Sequence, residues 1–248
     1  LRDFGAFVKE LARYRFSFFA GVNTLFNALL HTKGFDSLDF SGLRVSLGGG
    51  MAVQQAVAER WKEVTGKPLI EAYGLTETSP AATINPFDIP EYNGAIGLPI
   101  SSTEIELRDD AGKPVPLGQP GEICIRGPQV MAGYWKRPDE TAKVLDKDSW
   151  FATGDVGVMD AKGYVRIVDR KKDMILVSGF NVYPNEVEAA ATALAGVAEC
   201  ACIGVPDEKT GEAVKLFVVK APGATLTEAD VVAHCRAGPA AYKVPKIV

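Results

Sequence analysis

The sequence predicts an α/β protein with parallel strands in its first part and a small α+β unit at its end. The first observation is the succession of a strand "LRVSL", a helix "VQQAVAERWKEVTG" and a strand "LIEAY", an order that is typical of parallel strands. The second is a series of short strands and turn residues after about residue 95, which favours an antiparallel sheet or barrel. The third is a further strand–helix–strand–strand pattern after the charged run "DRKKD".

Three helices are predicted before residue 70. Apolar side chains at helical spacing predict a helix over residues 3–14, with Asp3 as its N-cap: Phe4, Phe7, Val8 and Leu11. The stretch "NTLFNALLHT" predicts a second, shorter helix. The third helix, "VQQAVAERWKEVTG", is closed by Gly66.

The remaining elements define a domain boundary. Two alternating strands are predicted within "TEIELRDDAGKPVPLGQPGEICIRG", and another in "YVRIVDR". A charged bend and an apolar strand follow in "DRKKDMILVSG", then a helix over residues 184–194, the strands "ECACIGV" and "AVKLFVVK", and a helix that begins at Thr227 with Asp230 at capping-box spacing. We therefore place the boundary near residues 169–172, with domains 1–169 and 170–248.

Composition excludes several classes of protein. The chain has 248 residues, 47% hydrophobic and 23% charged, which is the balance of an ordinary globular protein. The net charge is −4 and no basic run stands out, so no nucleic-acid partner is expected. No apolar stretch is long enough to span a bilayer. The four cysteines include Cys200 and Cys202 in an apolar run, which favours buried strand thiols and a reducing cytoplasm.

Three consecutive glycines, Gly48, Gly49 and Gly50, follow the strand "LRVSL". One interpretation is a tight turn. The other is a backbone wall without side chains, against which a flat ring can lie. The pattern is neither G-x-G-x-x-G nor a Walker loop, because "TGKP" lacks the upstream glycine and the following hydroxyl residue.

An aromatic, a hydroxyl and a carboxylate follow the strand "LIEAY" in the stretch "YGLTE". Polar groups at the carboxyl end of a parallel strand face a ligand crevice in many α/β proteins. Thr76 can donate to a phosphate oxygen, Glu77 can hold Mg²⁺, which prefers oxygen ligands, and Tyr73 can stack on a base. The alternative is a helix N-cap with an acidic first turn.

Polar residues in the second half suggest sugar binding and a hinge. Asp155, at the end of "WFATGD", can accept two hydroxyl groups of a ribose diol, or it is a turn aspartate. Arg170 can reach the same sugar or a phosphate, or it forms a surface salt bridge. The run from Lys171 to Asp173 is a solvated face or, at the proposed domain boundary, a hinge.

The motifs "YGLTE", "GPQVMAGYW", "TGD" and "DRKKDMILVSGFNVYPNEVE" together resemble those of the adenylate-forming superfamily, which contains acyl-CoA synthetases, adenylation domains and luciferases. The stretches "GVNTLFNALL", "GGGMAVQQAVAERW" and "GEAVKLFVVK" are similar to its bacterial long-chain fatty-acid–CoA ligases. The resemblance covers essentially the whole chain. It implies the C-terminal part of a large α/β domain with a β-barrel-like subdomain, followed by a small, mobile α+β domain.

The resemblance also implies site residues. Thr76 contacts phosphate, Glu77 binds Mg²⁺, and Lys172 is the hinge between two half-reactions; these are the residues assigned to catalysis. The residues implied in binding nucleotide and coenzyme A are Gly48, Gly49, Gly50, Tyr73, Gly74, Asp155, Ile167, Arg170 and Gly179. Among them, Gly50 also lies near the acyl carboxylate, Ile167 lines the adenine pocket, and Gly179 lines the pantetheine tunnel.

The implied reaction consumes ATP, with Mg²⁺, to convert a long-chain fatty acid into an acyl-adenylate and pyrophosphate, and coenzyme A then displaces AMP. The family's lysine-containing phosphate loop is expected upstream of Leu1 and its adenylation lysine beyond Val248. We therefore expect an internal piece of a longer enzyme that is inactive alone. A cytoplasmic location is expected, with peripheral association at the inner face of the membrane left open.

Two other readings stay open. An adenylation domain that loads a carrier protein would have a carrier module with its own phosphopantetheine serine. A nucleotide-binding module without catalysis would form no thioester. Acyl chain-length preference and oligomeric state are not encoded in any motif of the chain.

Overall fold

The computed structural model describes residues 3–237 and 243–248, and its chain forms two compact units. The first unit comprises Leu1–Gln119, Ile123–Thr153 and Val158–Ile167. The second comprises Pro120–Glu122, Gly154–Gly157 and Val168–Val248.

A five-stranded sheet organises the first unit. Its strands are β1 (Phe18–Gly21), β2 (Val45–Gly48), β3 (Leu69–Tyr73), β4 (Thr83–Ile84) and β5 (Leu98–Pro99), in the order β1-β2-β3-β4-β5. The first three strands are parallel, and β4 and β5 add in antiparallel fashion. The predicted parallel arrangement of "LRVSL" and "LIEAY" is confirmed, whereas β1, β4 and β5 were not predicted.

Three helices accompany this sheet: α1 (Phe4–Leu11), α2 (Asn23–Leu30) and α3 (Gln55–Thr65). Asp3 caps α1 as predicted, because its carboxylate accepts a hydrogen bond from the Ala6 N–H at 2.8 Å. Gly66 ends α3 with a φ of 71°, a left-handed conformation that glycine adopts without a steric penalty. The helices bury an aromatic core around Trp61, which is fully buried and donates to the Ser46 hydroxyl at 2.9 Å.

A four-stranded sheet occupies the region for which the sequence predicted an antiparallel sheet or barrel. Its strands are β6 (Glu104–Arg108), β7 (Pro120–Arg126), β8 (Phe151–Met159) and β9 (Val165–Arg170), in the order β6-β7-β8-β9. A short helix, α4 (Pro138–Val144), lies between β7 and β8 in the chain.

The tryptophans near this sheet have contrasting surroundings. Trp150 lies between the guanidinium groups of Arg108 and Arg126, each 4.7 Å from the centroid of an indole ring. Stacked guanidinium groups of this kind are favourable cation–π contacts. Trp135 is 86% exposed, in the loop that precedes α4.

The second unit contains an antiparallel four-stranded sheet and two helices. The strands are β10 (Ile175–Val177), β11 (Phe180–Val182), β12 (Val197–Asp207) and β13 (Gly211–Lys220), in the order β11-β10-β13-β12. Helices α5 (Pro184–Thr192) and α6 (Glu228–Ala237) contribute Val187, Ala191, Val231 and Cys235 to the core.

Two local predictions hold in this unit. The capping box that opens α6 is confirmed, because the Thr227 N–H donates to the Asp230 carboxylate at 2.9 Å and the Asp230 N–H donates to the Thr227 hydroxyl at 3.3 Å. The cysteines are free thiols, and Cys200 and Cys202 lie on β12 as predicted. Within the described residues, no cluster of acidic, histidine or cysteine side chains could hold a metal ion.

None of the helices in the described part of the chain combines the length and the apolar character needed to cross a bilayer.

Candidate functional site

The glycine loop lies at the carboxyl end of β2, directly beside the end of β3. Gly48 is the last residue of β2, and a Cβ added to it would lie 2.7 Å from Cγ2 of Val53. A Cβ added to Gly49 would lie 3.2 Å from the carbonyl oxygen of Ala72 on β3. Gly50 has a φ of 77°, in the region that favours glycine. The loop is therefore both a tight turn and a surface without side chains.

Gly74 is the most sterically restricted glycine of the site. It follows Tyr73, the last residue of β3, and a Cβ added to it would lie 1.7 Å from the carbonyl oxygen of Pro80. Backbone therefore passes backbone at a distance that admits no side chain. This contact folds the segment after β3 back on itself and presents the next residues at the end of the strand.

Thr76 and Glu77 lie in a single 3-10 turn, Thr76–Thr78, immediately after this contact. Thr76 is exposed and Glu77 is half-buried. Thr78 is buried, and its hydroxyl accepts from the Leu75 N–H at 2.9 Å and donates to the Pro80 carbonyl at 2.8 Å. The turn is thus fixed from inside, while its hydroxyl and carboxylate remain on the side open to solvent.

A loop from a distant part of the first unit holds Glu77. The Tyr134 hydroxyl donates to Oε1 of Glu77 at 2.8 Å, and the Met131 N–H donates to the Glu77 carbonyl oxygen at 2.8 Å. Both residues belong to the stretch "GPQVMAGYW". The sequence assigned no role to Tyr134, because no local signal links residues 57 positions apart.

Glu71 is a second carboxylate that sequence analysis did not select. It lies on β3 opposite Gly48 and is 8% exposed. It accepts a hydrogen bond from the Val53 N–H, and burial raises its pKa to about 7. Its Oε2 is the one buried side-chain polar atom without a hydrogen-bond partner among the described residues. A charged residue inside the apolar strand "LIEAY" was the signal that could have found it.

The loop beyond the glycines is anchored by two further side chains. The Tyr92 hydroxyl donates to the Val53 carbonyl at 2.8 Å, and the Gln54 N–H donates to Oδ1 of Asn23 at 3.0 Å. Together with Glu71, these residues hold both sides of the peptide backbone at residues 53 and 54. The glycine loop therefore has little freedom at its far end.

Glu71→Gln should change how stability depends on pH. The folded-state pKa of Glu71, about 7, lies above the value of 4.5 for an exposed glutamate, so the folded state binds more protons between these pH values. Unfolding free energy then falls as pH rises through this window, by roughly 3 kcal/mol at most. Urea midpoints of wild type and Glu71→Gln, measured at pH 5.5 and 8.5, should differ by a gap that shifts in favour of the variant at the higher pH. A gap that is equal at both pH values would contradict the buried, ionisable state of Glu71.

Asp155 and Arg170 come together in the second unit. Asp155 lies within β8, and Oδ1 of its carboxylate is 3.8 Å from Nε of Arg170, the last residue of β9. The turn-aspartate alternative is therefore wrong, since Asp155 belongs to a strand. The Asp155 side chain is 15% exposed and that of Arg170 is 65% exposed, so the guanidinium end of the pair is the more accessible.

Glu122 connects the strand of Asp155 to the charged run after β9. Its Oε1 accepts from the Gly154 N–H at 3.0 Å, and its Oε2 pairs with the Lys171 ammonium at 2.9 Å. The carboxylate is thus hydrogen-bonded on one side next to Asp155 and on the other next to Lys172. Nothing in the sequence marks Glu122 for this role, because its partners lie 32 and 49 residues away.

The remaining predicted residues are found on the surface. Lys172 is exposed in a single 3-10 turn, Lys171–Asp173, between β9 and β10. Ile167 is 39% exposed on β9. Gly179 and Ser178 form the turn between β10 and β11, with φ values of 83° and 52°. Such a two-residue hairpin turn with positive φ requires glycine for conformational reasons alone, and a Cβ on Gly179 would contact nothing within 4 Å.

The predicted residues thus form two groups, one in each unit. The first unit gathers the glycine loop, Tyr73, Gly74, Thr76 and Glu77 at the carboxyl ends of two neighbouring parallel strands. The second unit holds Asp155, Arg170, Lys172 and Gly179 on β8, at the end of β9 and in the elements that follow.

A glycine loop and an aromatic–hydroxyl–carboxylate segment at adjacent strand ends define a ligand site of the doubly wound α/β type. Residues 1–135 match the family described as AMP-binding enzyme, and residues 186–248 match the AMP-binding enzyme C-terminal domain. The chain belongs to the AMP-binding enzyme family.

Particular relatives narrow this class. The chain is 61% identical over 247 residues to a long-chain-fatty-acid–CoA ligase of Yersinia pestis, covering 100% of this chain and 44% of the relative. It is 40% identical to a feruloyl-CoA synthase of an Amycolatopsis species, covering 99% of this chain and 50% of that protein. The crystal structure of ATP-bound MatB from Rhodopseudomonas palustris superimposes with a TM-score of 0.88 at 35% identity, over 98% of this chain and 48% of that one. The chain therefore spans about half the length of these relatives.

Proposed function

We propose that the full-length protein containing this chain is a long-chain fatty-acid–CoA ligase. The observation that carries the proposal is the joint ending of β2 and β3 in a loop without side chains and in a tyrosine, hydroxyl and carboxylate. Similarity to long-chain-fatty-acid–CoA ligases, over the whole chain, supports the substrate class. A fatty-acid carboxylate attacks the α-phosphorus of ATP and releases pyrophosphate, and the sulfur of coenzyme A then attacks the acyl carbon and releases AMP.

Three features support a nucleotide at the end of β2 and β3. The glycine loop offers a flat backbone surface to the adenine, and Tyr73 supplies an aromatic ring at the neighbouring strand end. Gly74 permits the close backbone passage that brings Thr76 to the phosphates. The unpaired Oε2 of buried Glu71 is an acceptor that the amino group of adenine would satisfy.

Glu77 fits a divalent cation beside the phosphates. Its carboxylate is half-buried, is held by Tyr134 through Oε1 only, and follows a hydroxyl suited to phosphate. When bound, Mg²⁺ neutralises charge on the phosphate oxygens. Thr76 orients the phosphate and Glu77 fixes the cation's position, so this chain contributes positioning and electrostatics without a protein nucleophile.

We assign the ribose hydroxyls to Asp155, with Arg170 beside it, and the adenine pocket also to Ile167. The short separation of the Asp155 carboxylate and the Arg170 guanidinium, 3.8 Å, supports their joint use. The exposed turn at Lys172 is proposed as a hinge between the two half-reactions, since a hinge residue must adopt two backbone conformations. Gly179 is proposed to lie beside the pantetheine arm of coenzyme A; its positive φ accounts for the glycine without that role.

Asp155→Ala should weaken ATP binding about tenfold or more while leaving fatty-acid binding nearly unchanged. Hydrogen bonds to a charged group contribute roughly 1.5–3 kcal/mol each, and the carboxylate is proposed to accept from both ribose hydroxyls. Calorimetric dissociation constants for ATP and for palmitate test this, with Asp88→Ala, an exposed loop carboxylate, as the matched control. An ATP dissociation constant equal to that of the control would remove Asp155 from the ribose site.

The decisive experiment is a thioester assay on the full-length protein with ATP, Mg²⁺, coenzyme A and equimolar palmitate and ferulate. We expect palmitoyl-CoA, detected by mass spectrometry, with AMP and pyrophosphate in equal amounts. Preferential formation of feruloyl-CoA would replace the substrate class, as the 40% identity to a feruloyl-CoA synthase allows. Nucleotide binding without any thioester would favour the non-catalytic module, and transfer to a phosphopantetheine-carrying protein alone would favour the carrier-loading reaction.

A further inference from the structure

Tyr134 makes one contact that no part of the reaction scheme requires of it. Its hydroxyl donates to Oε1 of Glu77 at 2.8 Å, although the two residues are 57 positions apart. The Met131 N–H donates to the main-chain carbonyl of the same glutamate at 2.8 Å. One loop therefore holds Glu77 by its backbone and by its side chain.

The loop that carries Tyr134 is itself held by α4. The Tyr134 N–H donates to the Thr141 hydroxyl at 2.9 Å, and that hydroxyl donates to the Arg137 carbonyl at 2.9 Å. Gly133 has a φ of 146°, and a Cβ added there would lie 2.8 Å from Cγ2 of Thr141. The helix thus fixes both the backbone and the direction of approach of the tyrosine.

A phenol suits the role of holding a cation ligand. It is neutral, so it orients a carboxylate without cancelling the negative charge, whereas a lysine or arginine would cancel that charge. Across residues 3–237 and 243–248, neither lysine nor arginine forms an ion pair with Glu77. With Oε1 engaged by the phenol, Oε2 is the oxygen left to face a cation.

We propose that Tyr134 is a positioning residue for the carboxylate of Glu77: it fixes the rotamer in which Oε2 meets the phosphate-bound divalent cation. This inference rests on the proposed function, in which Glu77 is the carboxylate that binds Mg²⁺. Tyr134 acts through Glu77 and touches neither substrate nor metal. Without the phenol, the glutamate would sample several rotamers, and the metal would add less to nucleotide affinity.

The test measures how much Mg²⁺ strengthens nucleotide binding to the full-length protein. Calorimetry gives the dissociation constant of a non-hydrolysable ATP analogue with Mg²⁺ and, separately, with EDTA. Tyr134→Phe should reduce the strengthening by Mg²⁺ about tenfold and leave the affinity in EDTA unchanged. In the adenylation assay, the Mg²⁺ concentration for half-maximal rate should rise by a similar factor, with a smaller change at saturating Mg²⁺.

The matched control is Tyr14→Phe, because Tyr14 is an exposed tyrosine on the same unit whose hydroxyl also contacts a glutamate, Glu10. Its removal should change neither dissociation constant. A double-mutant cycle with Glu77→Gln then separates direct from indirect action. If Tyr134 acts through Glu77, the phenylalanine substitution should have no further effect once Glu77 is glutamine.

The outcomes are distinguishable. Loss of the Mg²⁺ effect in Glu77→Gln, with Tyr134→Phe behaving like Tyr14→Phe, would overturn the role of Tyr134 and leave the proposed function intact. Effects of Tyr134→Phe and Glu77→Gln that multiply in the double variant would also overturn it. A Mg²⁺ effect that persists in Glu77→Gln would instead overturn the assignment of Glu77 itself.

Discussion

Replacing Glu77 by glutamine should lower the rate of acyl-adenylate formation about a hundredfold or more in the full-length protein. Removing a metal ligand at a transferring phosphate costs several kcal/mol of transition-state stabilisation. Glutamine keeps the size of the side chain and an oxygen that can accept from the Tyr134 hydroxyl, so the loop should remain in place. Pyrophosphate release under single-turnover conditions, at matched Mg²⁺, measures the effect.

The control for this substitution is Glu10→Gln, which neutralises an exposed carboxylate paired with Arg13 at 2.9 Å on α1. Exposed pairs of this kind contribute little to stability, so the control should adenylate at the wild-type rate. Pyrophosphate release by Glu77→Gln within a few-fold of this control would refute the metal assignment.

Gly74→Ala should cause the second large effect, on both folding and nucleotide affinity. The added Cβ would lie 1.7 Å from the Pro80 carbonyl oxygen and 2.8 Å from the Cα of Ala81. These neighbours are backbone and cannot rotate away, so the turn carrying Thr76 and Glu77 must move. Overpacking costs about 1–3 kcal/mol and at times more. We expect a lower unfolding temperature and an ATP affinity reduced more than tenfold.

Two other glycines separate the causes. Gly66→Ala tests a positive φ of 71° without any neighbour within 4 Å, and it should cost only about 1 kcal/mol. Gly5→Ala, inside α1 with its nearest neighbour at 3.5 Å, should stabilise by up to about 1 kcal/mol. A thermal unfolding midpoint for Gly74→Ala as high as that of Gly66→Ala would show that the backbone contact at Pro80 is not maintained in solution.

The elements that could be predicted are those with strong local signals. Helices α1 and α3 combine a clear apolar periodicity with a cap at one end, Asp3 and Gly66 respectively. Strand β1 has only four residues and depends on its pairing with β2, a partner more than twenty residues away. Helix α4 buries none of its residues, so it has no apolar stripe to detect. Its proline at the start and its acidic first turn were the available signals.

The candidate site shows the same division. Gly74 and the 3-10 turn after it follow from a short motif, and the structure gives the motif a steric reason at Pro80. The contact between Glu77 and Tyr134 could not be read from the sequence, because it joins two segments through tertiary packing. The strand position of Asp155 was missed for a related reason: Gly154, with a φ of 77°, resembles a turn locally but lies within β8.

The three contrasting tryptophans make the protein a reporter of its own site. Trp61 is sealed in the aromatic core and Trp150 is covered on each face by a guanidinium group, whereas Trp135 is 86% exposed and adjoins Tyr134 in the chain. A soluble quencher such as acrylamide should therefore reach Trp135 first and remove the longest-wavelength part of the emission. Any ligand that orders the loop around Tyr134 should then change the quenched fraction alone, giving an optical signal without a label.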